Sequence, residues 1–407
     1  MWAQKILFAA LATGVAASPI AIDKRQFAYG SNPVRGVNIG GWLVLEPWIT
    51  PSIFEPFGGA VVDEYTLCQN AGDAESILRS HWDSWVSLSD FHKIAGNGLN
   101  LVRIPIGYWA FQKYEQDPYI QGAADYLDTA IGWARQTGLK VWIDLHGAPR
   151  SQNGYDNSGQ LTSAPGWTQG DSVQATLNVI SQISEKYATS EYSDVVIGIE
   201  LLNEPYMPGL SGGKSATQGY YQAGFGIVRQ NGQTPVVIHD GFDKPSDWNG
   251  FLAGQGTSGA MVDHHEYQVF TNAGVALSPD DHVSEVWNSA NDWATGQDKF
   301  IIVGEWTAAM TDCAPNINGW GVGARYDGSY NKGNGDGSSY VGSCASMNDI
   351  GQWSDYYKQA TTKYINAQIS AFESMVQGWV FWNFKTEATA EWDLFKLIDA
   401  GVWPQSS

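Results

Sequence analysis

The chain has 407 residues, with 42 Asp and Glu against 22 Lys and Arg, for a formal net charge of −20. Such a surplus of negative charge repels polyphosphate and argues against a nucleic-acid partner. The composition is 43% hydrophobic and 16% charged, with 19 Trp, 19 Tyr and 15 Phe, so a large core can be buried. This excludes intrinsic disorder, and because the only long apolar run is N-terminal, it also excludes a multi-span membrane protein.

Residues 1–17 read as an export signal: Lys5 precedes the apolar stretch Ile6 to Ala12, and small residues follow at Val15, Ala16 and Ala17. Residues 18–25 read as a propeptide ending in the dibasic pair Lys24-Arg25, so Gln26 is the expected mature terminus. An uncleaved anchor is disfavoured because the apolar run is too short to span a bilayer. Eight short β-rich apolar runs follow in chain order: Val34–Gly41, Leu99–Ile106, Lys140–Gly147, Val195–Asn203, Pro235–Gly241, Met261–Tyr267, Phe300–Trp306 and Gly378–Phe384. Helical patterns lie between most of them, at Ala123–Thr137, Ser172–Tyr187, Tyr220–Gln230 and Trp353–Gln377. Alternating units with near-continuous apolar strands predict an α/β fold with a parallel sheet, and eight units without a linker predict a single-domain (β/α)8 TIM barrel over residues 26–407 with loop insertions. A doubly wound open sheet would give the same alternation, but no Gly-x-Gly-x-x-Gly follows any strand.

Of the three cysteines, Cys313 and Cys344 are expected to pair, because the Gly-, Asn- and Ser-rich stretch between them would otherwise be a slack loop. Cys68 is then a free, buried thiol. No Asn-x-Ser/Thr acceptor occurs, so N-glycosylation is not expected.

A barrel gathers its chemistry at the C-terminal ends of its strands. There the sequence turns polar: Arg103, Asp144-Leu145-His146, Asn203-Glu204-Pro205, His265 with Tyr267, Glu305-Trp306 and Trp382. Glu204 and Glu305 each end an apolar run, where an unpartnered charge would be costly. Paired carboxylates across a cleft are what glycoside hydrolysis uses, one acting on the leaving oxygen and the other on the anomeric carbon. Trp306 and Trp382 offer flat faces for sugar rings, and Arg103, Asn203, His146, His265 and Tyr267 offer hydrogen bonds. The run Asp263-His264-His265 lacks third and fourth ligands at metal-binding spacings, so neither a metal nor another cofactor is expected.

These motifs resemble the fungal exo-β-1,3-glucanases of glycoside hydrolase family 5. The likeness is carried by Arg35 to Trp42, Leu45 to Trp48, Val102 to Trp109, Asp144 to Pro149, Ser151 to Gly159, Asn203-Glu204-Pro205, His265-Glu266-Tyr267, Val303 to Trp306 and Trp379 to Trp382. It implies that Glu204 is the acid/base and Glu305 the nucleophile, with Asn203 on the sugar 2-hydroxyl and Arg103 and Tyr267 orienting Glu305. His146 and His265 would line the glucose subsite, and Glu46, Asp156 and Asn157 would meet the terminal glucose and close the far end. Tyr155 and Phe270 would form an aromatic clamp at the entrance. Arg150 stands where Gly is expected and Tyr155 where Phe is common. The implied protein is a secreted or wall-associated, cofactor-free, retaining exo-β-1,3-glucosidase whose partner is β-glucan, with transfer of sugar to acceptors left open and a monomer as the default. An endo-β-1,6-glucanase and a non-catalytic glucan-binding wall protein are the alternatives. A carboxylate beside an ionised nucleophile should hold its proton to higher pH, so Glu204 is expected to titrate above Glu305.

Overall fold

Eight of the apolar runs become strands: β1 Val34–Asn38, β2 Leu101–Gly107, β3 Lys140–Gly147, β4 Val196–Glu200, β5 Val236–His239, β6 Ala260–Glu266, β7 Ile301–Trp306 and β8 Gly378–Phe381. In the computed structural model, which describes residues 27–333 and 335–404, they pair in parallel in chain order, and β8 closes on β1. The fold is therefore a closed (β/α)8 barrel and not an open sheet. The proposed leader and propeptide lie outside the described residues. Several strands stop short of their expected ends. β4 leaves the ladder at Glu200, so Asn203 and Glu204 stand in the loop beyond it.

Helices Ala123–Thr137 and Ser172–Tyr187 have the expected bounds. The first buries Leu127, Ala130, Ile131 and Ala134 and stops at Gly138, whose φ of 80° suits a left-handed C-terminal residue. The helix Gly213–Asn231 begins earlier than the pattern suggested. Pro279–Trp293 was not foreseen, although Ser278 caps it by accepting the Asp281 N–H, Pro279 opens it, and Asp280 and Asp281 fill its first turn. Between β5 and β6 there is no α-helix, only short 3-10 turns at Pro245–Trp248 and Gly256–Ser258.

Side chains two apart on a strand share a face, and the barrel interior is built in layers on that period. At the N-terminal end, one residue from each strand forms an apolar layer: Val34, Leu101, Trp142, Ile197, Val237, Met261, Ile302 and Val380. Phe27, Tyr29 and Phe300 pack beneath it, and the Tyr29 hydroxyl donates to the Ile197 carbonyl at 2.8 Å. Two residues further along their strands, Leu101, Trp142, Val237 and Met261 give way to Arg103, Asp144, His239 and Asp263. All four are fully buried.

Above β7 a long loop is pinned at its base. Cys313 and Cys344 form a disulfide with Cα atoms 5.2 Å apart. Asp312 accepts hydrogen bonds from the Arg325 and Tyr326 backbone N–H groups, the Arg325 guanidinium and the Asn318 amide. Cys68 is free as expected but only partly buried, and that burial pushes its thiol up to about 12. Among the described residues no helix is long and apolar enough to cross a membrane.

Candidate active site

Arg103 is the hub on which the C-terminal end of the barrel is built. Its guanidinium donates through Nε to Glu200, through Nη1 to Asn38 and Glu305, and through Nη2 to Asn203, at 2.8 to 3.0 Å. Asp144 and Asp263 lie within 3.1 and 3.4 Å of Nη2. One planar cation thus serves several strands, as its rigid fork of donors allows. Burial outweighs the pull of Arg103 on Glu200 and leaves that carboxyl well above its usual range. Asp263 also accepts the Gly304 N–H at 2.8 Å. A Cβ at position 304 would stand 2.1 Å from that carboxylate, which leaves glycine as the residue that fits.

Glu305 accepts from Arg103 on Oε1 at 3.0 Å and from the Tyr267 hydroxyl on Oε2 at 2.9 Å. Opposite it, Glu204 has a φ of 44°, a left-handed conformation that costs a non-glycine residue on the order of 1 kcal/mol. Gln152 holds this turn. Its side chain donates to the carbonyls of Asn203 and His146, and its own carbonyl accepts the Tyr206 N–H. Glu204 Oε1 meets His265 Nδ1 at 2.8 Å, and Asn157 Nδ2 donates to Oε2 at 3.0 Å. His265 Nδ1 is also 3.4 Å from Glu305 Oε2, while its Nε2 meets Asp263 at 3.2 Å.

The charges do not follow the order expected from sequence. Burial would raise Glu204, but the hydrogen bond and charge of His265, aided by Asn157, hold it below the usual carboxylate range. Burial raises Glu305 despite the opposing pull of His265 and Arg103. His265 itself loses through burial but gains more from Glu305 and Asp263, so its proton is held well above the ordinary imidazole range. The simple repulsion argument overlooked a cation lodged between the two carboxylates.

A cavity of about 520 Å³ opens above this pair. Its walls include Glu46, Tyr155, Asp156, Asn157, Glu204, His265, Tyr267, Phe270, Glu305 and Trp382. Tyr155 and Phe270 stand at the rim, 43% and 42% exposed. Burial raises Glu46 far above its usual range and lifts Asp156 to about 7, with Asp156 adding to the first effect and Asp63 to the second. Arg103, Asn203 and His146 do not reach the wall. His146 stacks behind Trp382 with ring centroids 5.6 Å apart and bonds Asp144 at 2.6 Å. Asn157 lines the cavity and grips the Glu204 carboxylate.

Trp306 does not face the cavity. It is fully buried among Phe372, Trp379, Phe381 and Trp403. Adjacent strand residues point to opposite sides, so with Glu305 facing inward Trp306 must face the helices. Sequence reading also missed Trp48, whose indole donates to Glu46 at 2.8 Å, and the loop residues Asn318, Arg325 and Lys332 that complete the wall. The polar spacing within the loop offered no register from which to place them.

Glu204, His239 and His265 bring ligand-type atoms within 4.8 Å of one another. The trio is a poor metal site, because both His265 nitrogens are engaged with carboxylates. His239 Nδ1 accepts the Gly241 N–H, which keeps the ring proton on Nε2 and leaves no lone pair free.

The chain is similar to known proteins over most of its length. The chain is 47% identical to a glucan 1,3-β-glucosidase of Lachancea kluyveri, over 94% of this chain and 89% of that protein. It is 46% identical to one of Yarrowia lipolytica over 97% and 95%, and 46% identical to glucan 1,3-β-glucosidase I/II of Saccharomyces cerevisiae over 94% and 88%. In fold it is similar to a crystal structure of rutinosidase from Aspergillus niger, with a TM-score of 0.74 at 20% identity, covering 93% of this chain and all of that one. Residues 76–387 match the profile of the cellulase family, and the chain belongs to that family, glycosyl hydrolase family 5.

Proposed function

We propose that this protein is a retaining exo-acting glucan 1,3-β-glucosidase, with Glu305 as nucleophile and Glu204 as acid/base. The observation that carries this reading is the single nitrogen, His265 Nδ1, in contact with both carboxylates at 2.8 and 3.4 Å. A shared neighbour that close holds the two oxygens nearer than the roughly 6.5–9.5 Å an inverting pair needs to admit water between them. Sequence relatives named for glucan 1,3-β-glucosidase activity support the substrate.

Glu305 attacks the anomeric carbon of the terminal glucose while the bond to the departing oxygen breaks and that oxygen takes a proton from Glu204. Glu204 then draws a proton from water, whose oxygen replaces Glu305 at the anomeric carbon and releases β-glucose. In the resting enzyme the proton rests on His265, 2.8 Å from Glu204, and passes through Glu204 to the departing oxygen, so the acid is the pair and not the carboxyl alone. Tyr267 and Arg103 steady Glu305 for attack. Asn203, its side-chain carbonyl oxygen held by Arg103 and its backbone carbonyl by Gln152, supports the turn that carries Glu204 from behind the cavity wall. Trp382 carries the ring of the bound glucose, Glu46 and Asp156 bind its hydroxyls, and Tyr155 and Phe270 grip the next sugar. The protein works after export, its leader and propeptide removed at Lys24-Arg25, in a compartment that keeps Cys313–Cys344 oxidised.

Proton NMR during the first minutes of digestion of a linear β-1,3-glucan tests the whole reading. Glucose released first as the β-anomer is the expected result. Long oligosaccharides would overturn exo action, and the α-anomer would overturn retention.

A further inference from the structure

His239, at the end of β5, is fully buried, and the mechanism above does not use it. With Nδ1 accepting the Gly241 N–H at 2.8 Å, its proton sits on Nε2, which has no hydrogen-bond partner among the described residues. A buried N–H left without a partner is costly, a loss that Leu or Phe in the same place would avoid. The chain keeps a costly donor here, and what lies against it indicates its use.

His239 meets His265 edge to face, with ring centroids 4.4 Å apart and planes at 78°. One nitrogen of each ring and a carboxylate oxygen of Glu204 lie within 4.8 Å of one another. His265 has three carboxylates in reach, Glu204, Asp263 and Glu305, but only two ring nitrogens to offer them. A modest rotation of its ring would trade Glu204 for Glu305, and a perpendicular ring packed beside it restricts that rotation.

His239 does not contribute a charge of its own. Burial lowers its affinity for a second proton, and His265 and His264 from β6, Arg103 from β2 and His146 from β3 lower it further. Asp240 is 3.7 Å from Nδ1 but is bonded to His264, and the Tyr221 hydroxyl binds the His239 carbonyl, not its ring.

We propose that His239 is a positioning residue for the acid/base step, its ring packed edge to face against that of His265 and keeping it toward Glu204 and away from Glu305. This rests on the reading of Glu204 as acid/base, and the test separates the two.

His239→Leu removes the flat ring, while His239→Gln keeps a planar amide that fills part of its place. Each variant is assayed for kcat/KM on a β-1,3-linked glucose disaccharide, whose leaving sugar needs protonation, and on 2,4-dinitrophenyl β-glucoside, whose leaving group departs without it. His239→Leu should lose at least tenfold more on the disaccharide than on the aryl glucoside, and His239→Gln should recover part of that difference. Equal losses on both substrates, or none on either, would overturn the proposal. If His239→Leu does not fold, as judged by circular dichroism, His239→Gln carries the test: a selective loss on the disaccharide supports the role and an equal or absent loss overturns it. Glu204→Ala is run in parallel. Should it show no preference for the activated substrate, the acid/base reading itself fails; should it discriminate while the His239 variants do not, only the role of His239 is lost.

Discussion

The two ends of the barrel interior are made by the same strands and differ by a two-residue step. At the N-terminal end, eight apolar side chains close the interior beneath the site. Two residues on, Arg103, Asp144, His239 and Asp263 replace four of them, and Glu200 and Glu305 join the same buried network. The lower layer gains by keeping water out; the upper layer gives up that gain to hold charges that act on a substrate. Stability and chemistry are thus separated along each strand by about 7 Å of rise, which lets loops and polar groups vary above a sealed base.

That separation makes the sharpest contrast at Glu305. Glu305→Ala should lower kcat on a β-glucoside by roughly 10⁵-fold, comparable to removing a nucleophile elsewhere. Its thermal unfolding should change little, since the deletion relieves a crowded set of carboxylates around one Arg103. Calorimetry beside steady-state kinetics checks both halves. A variant that keeps near wild-type turnover would break the comparison outright.

The converse change lies one layer down. Trp142→Ala empties part of the apolar floor and should cost about 3–5 kcal/mol of stability. The folded variant should keep its kcat/KM, because Trp142 touches Arg103 only through its ring face, 5.6 Å from the guanidinium carbon. Urea unfolding followed by kinetics below the transition measures this. A loss of activity on the scale of Glu305→Ala would show that the two layers are not separable.

Sequence made the lower layer and the strand ends legible for one reason: both depend on local pattern. Lys140–Gly147 and Ala123–Thr137 have their expected bounds because apolar runs and periods of 3.6 are written in adjacent residues. Glu204, Glu305 and Arg103 were visible as polar residues out of place at the ends of such runs. Trp306 was misread because the bulge at Gly304 reverses the alternation counted from Ile302, turning Glu305 inward and Trp306 out. His239 passed unnoticed inside its apolar run, because nothing nearby in sequence reveals that its ring meets His265. Gln152 and Asp312 work through contacts that close only in three dimensions, and the order of Glu204 and Glu305 turns on the cation lodged between them. Pattern reports which way a side chain faces; charge coupling depends on distances that pattern does not contain.

The smallest effect tests where pH acts. The buried carboxyls pushed up to about 8 at Glu64, about 7 at Asp156 and about 7 at Glu391 lie outside the apolar floor, which has no ionisable side chain. Burial is the first cause in each case, so the folded state binds these protons more tightly than the unfolded chain does. Their stabilisation is complete below the ordinary carboxylate range and is lost as pH rises through 7 to 8. His81 and His282, lowered to about 4 by burial, act in the opposite sense, but only where the unfolded histidines gain protons, below about 6.5. Between pH 6.5 and 8 His264, raised to about 9, and His265 act in the same sense as the carboxyls, and stability should fall by on the order of 1 kcal/mol for each carboxyl. Calorimetry at the two pH values should show a lower Tm at pH 8. Glu391→Gln should flatten that slope, since an amide in the same place takes no charge as pH rises. A Tm that climbs over this range would mean that these carboxyls are ionised in the folded protein and that the upper half of the barrel tolerates charge far better than its burial implies.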